Sequence, residues 1–447
     1  MISELYELAA AVATRIDAGH EGPPVPIVSL GLGSREIDAP AEDLERLASL
    51  AGRHPLVLVD TVDRMGRWAD LRPGPTTVAH DPASGIPPEV MALATGAVVV
   101  VADALDRRRW PARLRRDLAA LCDKAALVAV ATRRSRLLAG RRWQPYLRGR
   151  LAPGDPHTLV VGGTLARRPA GPPASLLAVV TCFNETDIIE ATIHHLIDQG
   201  AVVHVIDNWS YDGSWELLTQ LARTESKIVL ERWPESGPLP TFELRRLLER
   251  IEEVAADATC DWVLHNDADE LRETPWPGVT VAEALAAVDA AGYSAVDFSL
   301  LDFRPTQDGF ARGVDPRTFF RSCELANQQG YTHQVRAWRQ QAGQRTLLAP
   351  SAGHEPLFEG RRVFPLNFIT RHYSFRSPAH AVTKLQRDRL PRLSLEETKI
   401  GWHAHLREFD LDSPFLWSPD ELLTYDDDFV GDHLLALLAR VGTPTPP

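Results

Sequence analysis

Short apolar runs alternate with helical periodicities along most of the chain. In the first half, PIVSLGLGS (26–34), PLVLVD (55–60), AVVVVAD (97–103), AALVAVAT (125–132) and TLVVGG (158–163) read as strands. Their nearly unbroken Val and Leu content predicts burial on both faces, and hence a mostly parallel sheet between helix layers. PARLRRDLAALCDKA (111–125) and the opening MISELYELAAAVATRIDAGH have the spacing of amphipathic helices.

The second half repeats the alternation. Strand LLAVVTCF (176–183) precedes NETDIIEATIHHLIDQG, where Ile188, Ile189, Ile193, Leu196 and Ile197 mark a helix and Gly200 its C-terminal stop. Strand VVHVID (202–207), helix WELLTQLAR, strand KIVLERW (227–233), helix ELRRLLERIEEVA (243–255) and strand DWVLHND follow. This βαβαβαβ order predicts a doubly wound parallel sheet with right-handed crossovers. Beyond residue 290 the pattern loosens into strands and long loops rich in aromatics, Arg and His.

Between the halves, ARRPAGPPAS (166–175) loses all periodicity. The expected organisation is two α/β domains: a Rossmann-like domain at 1–166, a linker at 167–175, a second domain at 176–410, and a helical tail at 411–447. A chain of 447 residues is too long for one ordinary domain. The net charge of −12 argues against nucleic acid or an anionic membrane as partner. Four scattered cysteines, no apolar run of membrane-spanning length and an acidic N-terminus predict a cytoplasmic protein.

In an open parallel sheet, ligands bind beyond the carboxyl ends of the strands. Those positions in the second half hold Asn184 and Glu185, then Asp207 and Asn208, then Asp267 and Asp269. Asp212-Gly213-Ser214 supplies turn and helix-start chemistry. Asp207 lies before that turn, where a carboxylate can accept from a base imide N–H or a ribose hydroxyl. Asp267 and Asp269, one residue apart after a buried strand, repel unless a cation lies between them. The bland alternative is a solvated acidic loop; the functional one is Mg²⁺ or Mn²⁺ shared with substrate phosphates.

VVTCFNE, DNWSYDGS and DWVLHNDADE, in this order, resemble the family 2 glycosyltransferases, over roughly residues 176–385. The resemblance implies the GT-A fold, a nucleotide-diphosphate sugar as donor, a carbohydrate or other hydroxyl acceptor, and inversion at the anomeric carbon. It also implies that Asp207 contacts the base, Asp267 the ribose or the metal, and Asp269 the cation on the diphosphate. SAGHEPLFEGRRVFP (351–365) and ITRHYSFRSPAHAVTKLQRDR (369–389) are similar to a later region of bacterial members. There His372 becomes a candidate metal or phosphate ligand, Arg376 and Lys384 candidate phosphate contacts, and Glu355 the candidate base, with Asp302 as runner-up. His403 and His405 fit zinc less well than packing or acceptor contact. Trp338, Trp402 and Trp417 read either as sugar platforms or as core.

PIVSLGLGS also resembles the glycine-rich first motif of class I S-adenosylmethionine methyltransferases. The resemblance makes Gly31, Gly33, Asp60 and Asp81 candidate cofactor contacts. Ser29 stands where that family has an acid, and Arg35 replaces its third glycine. These departures imply a degenerate methyltransferase-like scaffold, with a working second enzyme as the alternative.

Overall fold

The computed structural model describes residues 2–18, 23–30, 54–60, 76–79, 84–104, 112–132, 147–150, 158–325, 334–402 and 413–439. Gly31, Gly33, Asp81, His403 and His405 lie outside these residues. The chain divides into two α/β units. The first comprises residues 1–168, 364–367 and 426–447, and the second 169–363 and 368–425.

The first unit is built on β1 (Ile27–Leu30), β2 (Leu56–Asp60), β3 (Thr76–Ala79), β4 (Val98–Ala104), β5 (Leu127–Thr132), β6 (Leu147–Gly149) and β7 (Thr158–Gly162). Their order is β3-β2-β1-β4-β5-β7-β6. The strands from β3 to β5 run parallel, and β7 runs antiparallel to both β5 and β6. Val98, Val99, Val100 and Val101 are all fully buried, as an unbroken apolar run requires when both faces of a parallel sheet are covered. The order reverses beside β1, so the doubly wound switch point lies between β1 and β4, and Asp60 ends β2.

Of the span 411–447, helix Asp427–Ala439 belongs to the first unit, where it packs on β6 and on helix Ile2–Asp17. It buries Leu434, Leu435, Leu437 and Leu438. Arg15 donates to the Leu437 and Pro365 carbonyls at 2.7 and 3.0 Å and to Asn367 Oδ1 at 3.2 Å. A 1–166 fragment therefore lacks part of this unit's own core.

The second unit contains β8 (Leu176–Cys182), β9 (Ala201–Asp207), β10 (Ile228–Arg232), β11 (Trp262–Asp267), β12 (Glu270–Glu273), β13 (Ala295–Phe303), β14 (Ser322–Leu325), β15 (Gln334–Arg339), β16 (Phe368–His372) and β17 (Leu423–Thr424). The main sheet runs β10-β9-β8-β11-β15-β13-β14-β17. Its first four strands are parallel, with β8 at the centre of the reversal. From β11 onward the main path is antiparallel. Helices Ile189–Asp198, Ser214–Thr224 and Leu244–Asp257 supply the expected crossovers. Gly200, at φ 92°, ends the first of them, and a Cβ there would stand 2.7 Å from the Ala282 methyl.

Strand β12 leaves β11 immediately after Asp267-Ala268-Asp269 and pairs antiparallel with β16. Strand β16 in turn runs parallel to β13. His372 is opposite Glu270 on one side and Asp302 on the other. No helix among the described residues is long and apolar enough to cross a membrane.

Candidate active site

The switch point of the second sheet lies at the carboxyl ends of β8 and β11, where a crevice for a ligand is expected. Three loops meet there. The loop after β8 is fastened to the loop after β9 by a ladder of hydrogen bonds. Asn184 N–H donates to Ser210 Oγ at 2.9 Å, Glu185 N–H to Ser214 Oγ at 2.9 Å, and Thr186 N–H to Asp212 Oδ2 at 3.0 Å. Asp212 also receives Ser214 N–H at 2.9 Å, so its role is to shape the turn. Gly213, at φ 101°, takes the N-cap position, and Ser214 is the first helical residue. Asn184 itself has φ 57°, a left-handed conformation that asparagine tolerates better than most residues.

Asp207, at the end of β9, is fully buried. Its Oδ2 accepts from Ser210 N–H at 3.1 Å and Arg232 Nε at 3.3 Å. Its Oδ1 is buried without a hydrogen-bond partner among the described residues. Burial pushes this carboxyl above its ordinary range, against the pull of Ser210 and Arg232. The Arg232 guanidinium lies over the rings of Trp209 and Trp215, 5.0 and 4.5 Å from their centroids. Asn208 spends its side chain on Arg392 (2.9 Å) and on the Trp233 carbonyl (3.1 Å).

Asp267 ends β11 with its side chain 41 % exposed. It accepts from Thr181 Oγ1 at 3.1 Å, and Arg336 stands 3.6 Å from its other oxygen. Partial burial opposes its charge, but the Arg336 guanidinium and His265 beside it hold its carboxyl below the ordinary range. Asp269, two residues on, is buried and faces three basic groups. Lys384 Nζ lies 2.7 Å from Oδ2, Arg376 3.8 Å from the same oxygen, and His372 Nε2 3.7 Å from Oδ1. Against the cost of burial, these cations hold its carboxyl well below the ordinary range.

His372 is oriented by Asp302, whose Oδ1 meets Nδ1 at 2.6 Å and so turns Nε2 towards Asp269. Burial alone would lower its pKa, yet Asp269 and Asp302 raise it to about 9. A histidine pKa raised from about 6.5 adds stability that is complete below that value and is lost as pH climbs through about 9. Asp302→Asn should lower the His372 pKa by ~1–3 units. Imidazole NMR titration reads this directly, and an unchanged value would mean that Asp302 does not hold the ring.

Arg376 is fully buried. It binds both oxygens of Asp187 at 2.8 and 2.7 Å, Glu185 through a short hydrogen bond, the Tyr373 carbonyl at 3.1 Å and His380 at 2.7 Å. Glu185, Asp187 and His380 have ligand atoms within 4.8 Å of one another, a spacing suited to a metal. The guanidinium fills that place, so the trio is an arginine clamp. Lys384 joins it, 3.1 Å from Glu185 Oε1. Glu355 stands apart from this network, with Arg361 at 2.8 Å from its carboxylate and Ser351 on its backbone N–H. Trp338 is fully buried and so belongs to the core.

Sequence reading did not single out Asp187, His380, His265, Arg232, Arg336 or Arg392. Asp187 follows Asn184-Glu185 closely and was open to notice there. Arg336 had no such signal, because only the antiparallel pairing of β15 with β11 brings it to Asp267.

No family model matches the chain, and neither does any curated protein. Among solved structures, the mannosyltransferase PcManGT from Pyrobaculum calidifontis, in complex with GDP-Man and Mn²⁺, is 22% identical at a TM-score of 0.23. That match covers 30% of this chain and 39% of the mannosyltransferase. A phosphoethanolamine N-methyltransferase of Haemonchus contortus, in complex with phosphoethanolamine and S-adenosylhomocysteine, is 9% identical at a TM-score of 0.17, over 65% of this chain and 84% of its own. Superpositions this loose carry no argument about function.

Proposed function

We propose that the second unit is a glycosyltransferase that moves a sugar from a nucleotide-diphosphate donor to a hydroxyl acceptor, with inversion and with Mn²⁺ or Mg²⁺ as cofactor. One observation carries the reading. At the switch point of the second unit's doubly wound sheet, Asp269 Oδ1 and His372 Nε2 face each other at 3.7 Å, two residues after Asp267 and with Asp302 behind the imidazole. Two carboxylates and an imidazole whose far nitrogen is held by a third carboxylate would offer oxygen and nitrogen donors to a divalent ion once His372 gives up its proton. Among the described residues, only Glu185, Asp187 and His380 have ligand atoms gathered within 4.8 Å of one another. Asp267, Asp269 and His372 would hold that ion, which supplies Lewis-acid stabilisation to the departing diphosphate.

The chain's own residues do the rest. Asp207 offers a buried, unpartnered oxygen to a base N–H or a ribose hydroxyl. Asn184 and Glu185 shape the donor side, Glu185 by fixing Lys384 and Arg376. Arg376, with its donors committed to the clamp, positions carboxylates and leaves phosphate contact to Lys384. Asp302, bound to His372, is a positioning residue. Glu355, paired with Arg361 and bonded to no residue of the clamp, is the candidate base only through the sequence resemblance; a base taking the acceptor's proton is worth ~10²–10⁴-fold.

Incubating the full chain with a panel of nucleotide sugars and Mn²⁺, without acceptor, should release nucleoside diphosphate from one of them, and a chelator should stop the release. Release that is indifferent to chelation would refute the metal-dependent reading. A second reading, S-adenosylmethionine binding by the first unit, rests on its switch point beside β1. Calorimetry on the full chain decides it.

A further inference from the structure

Residues 377–392 form a strap across the switch point, and every loop of the site touches it or Arg376 just before it. Helix Pro378–Val382 runs into a π-helical stretch, Thr383–Arg389, and then into a 3₁₀ turn, Leu390–Arg392. Wide π turns are uncommon and concentrate at functional sites. From this strap Lys384 reaches Asp269 after β11 and Glu185 after β8. Asp388 accepts the Tyr211 hydroxyl in a short hydrogen bond, and the Arg387 guanidinium lies 5.0 Å from the centre of the Tyr211 ring. Arg392 lies 4.0 Å from the centre of the Phe183 ring and donates to Asn208. Leu385 and Ala381 root the strap against Phe375 and Phe415.

The position of Lys384 carries a specific consequence. Its ammonium stands 2.7 Å from Asp269 Oδ2, on the carboxylate that a divalent ion bound at the acidic pair has to use. A like-charged ion arriving there repels the ammonium, while Glu185 Oε1, at 3.1 Å, keeps the side chain tethered at the rim. An ammonium has three donors, so one freed from Asp269 can turn to an anion without leaving Glu185.

We propose that Lys384 competes with the divalent ion for Asp269 and, once displaced, pairs with the donor's diphosphate, so that metal and nucleotide bind with positive cooperativity. This rests on the glycosyltransferase reading and goes beyond it by making Lys384 the coupling element. Either ligand alone meets a lysine in the wrong place; together they give it a partner. Linkage requires the effect to be reciprocal.

Calorimetry on the full chain tests it, with Mn²⁺ alone and then with UDP or GDP titrated into the Mn²⁺-saturated protein. Lys384→Gln should bind Mn²⁺ about tenfold more tightly than the unaltered chain and the nucleoside diphosphate about tenfold more weakly. Lys384→Arg, which keeps the charge, should keep the weaker Mn²⁺ affinity, an outcome that a merely structural role would not produce. Melting curves establish that each variant is folded, and Lys384→Met repeats the test without an amide. If Lys384→Gln binds Mn²⁺ no better than the unaltered chain, while Asp269→Asn abolishes Mn²⁺ binding, the coupling is overturned and the metal site stands. If neither the unaltered chain nor Lys384→Gln binds Mn²⁺, both this proposal and the metal-dependent reading fall.

Discussion

Asp269→Asn is expected to lower turnover of the nucleotide sugar by at least ~10³-fold, the loss of several kcal/mol of transition-state stabilisation. Asparagine keeps the shape of the side chain and removes the anion that holds a cation. Alanine is the poorer choice, because it also takes away the partner that Lys384, Arg376 and His372 share. The substitution has a second signature. A carboxyl held below its ordinary range adds stability above the unfolded value of about 4, and that stability is lost as pH falls through the folded value. The asparagine variant should lose this part of the acid dependence. Asp267→Asn should cost less, since that side chain is more exposed. Full divalent-dependent turnover by the Asp269 variant would end the assignment.

Arg376→Met should destabilise the second unit by ~3–5 kcal/mol, the typical consequence of removing one partner from a buried ionic network. Glu185 and Asp187 would lose the guanidinium that now binds both. Lysine should not rescue the fold fully, because one ammonium cannot reproduce a fork that meets Asp187 through Nε and a terminal nitrogen at once. His380 reports on the same change. Burial and the neighbouring Arg376 push its pKa far down, so it accepts as a neutral ring; without the guanidinium its pKa should rise. Denaturant unfolding followed by tryptophan fluorescence measures the first effect, and imidazole NMR the second. An unchanged midpoint would show that the clamp is dispensable.

Much of the architecture was legible because local patterns encode it. Continuous Val runs gave the parallel strands, and the four strands from LLAVVTCF to DWVLHND appear as β8 to β11. The acidic residues after those strands were legible for a related reason: strand ends are marked locally, and in a doubly wound sheet they face the ligand edge. The antiparallel continuation was less readable. Strands β12 to β17 are short or separated by long loops, and nothing local says which of them pair.

What the sequence determined by itself, then, was two α/β halves, five strands of the first and the four parallel strands of the second, and three acidic loop ends that share one edge of the second sheet; β3 and β6 carried no such signal. Only the tertiary structure decided their company. The registers of β12 and β13 with β16 bring His372 beside Glu270, 102 residues before it, and beside Asp302, 70 residues before it, and the strap brings Lys384 to Asp269. It also decided that Arg376 is a buried clamp and that helix Asp427–Ala439 completes the first unit. The physical reason is the same in each case: hydrophobic periodicity fixes which face of an element is buried, while partners across a sheet are chosen by long-range register, which no local pattern carries.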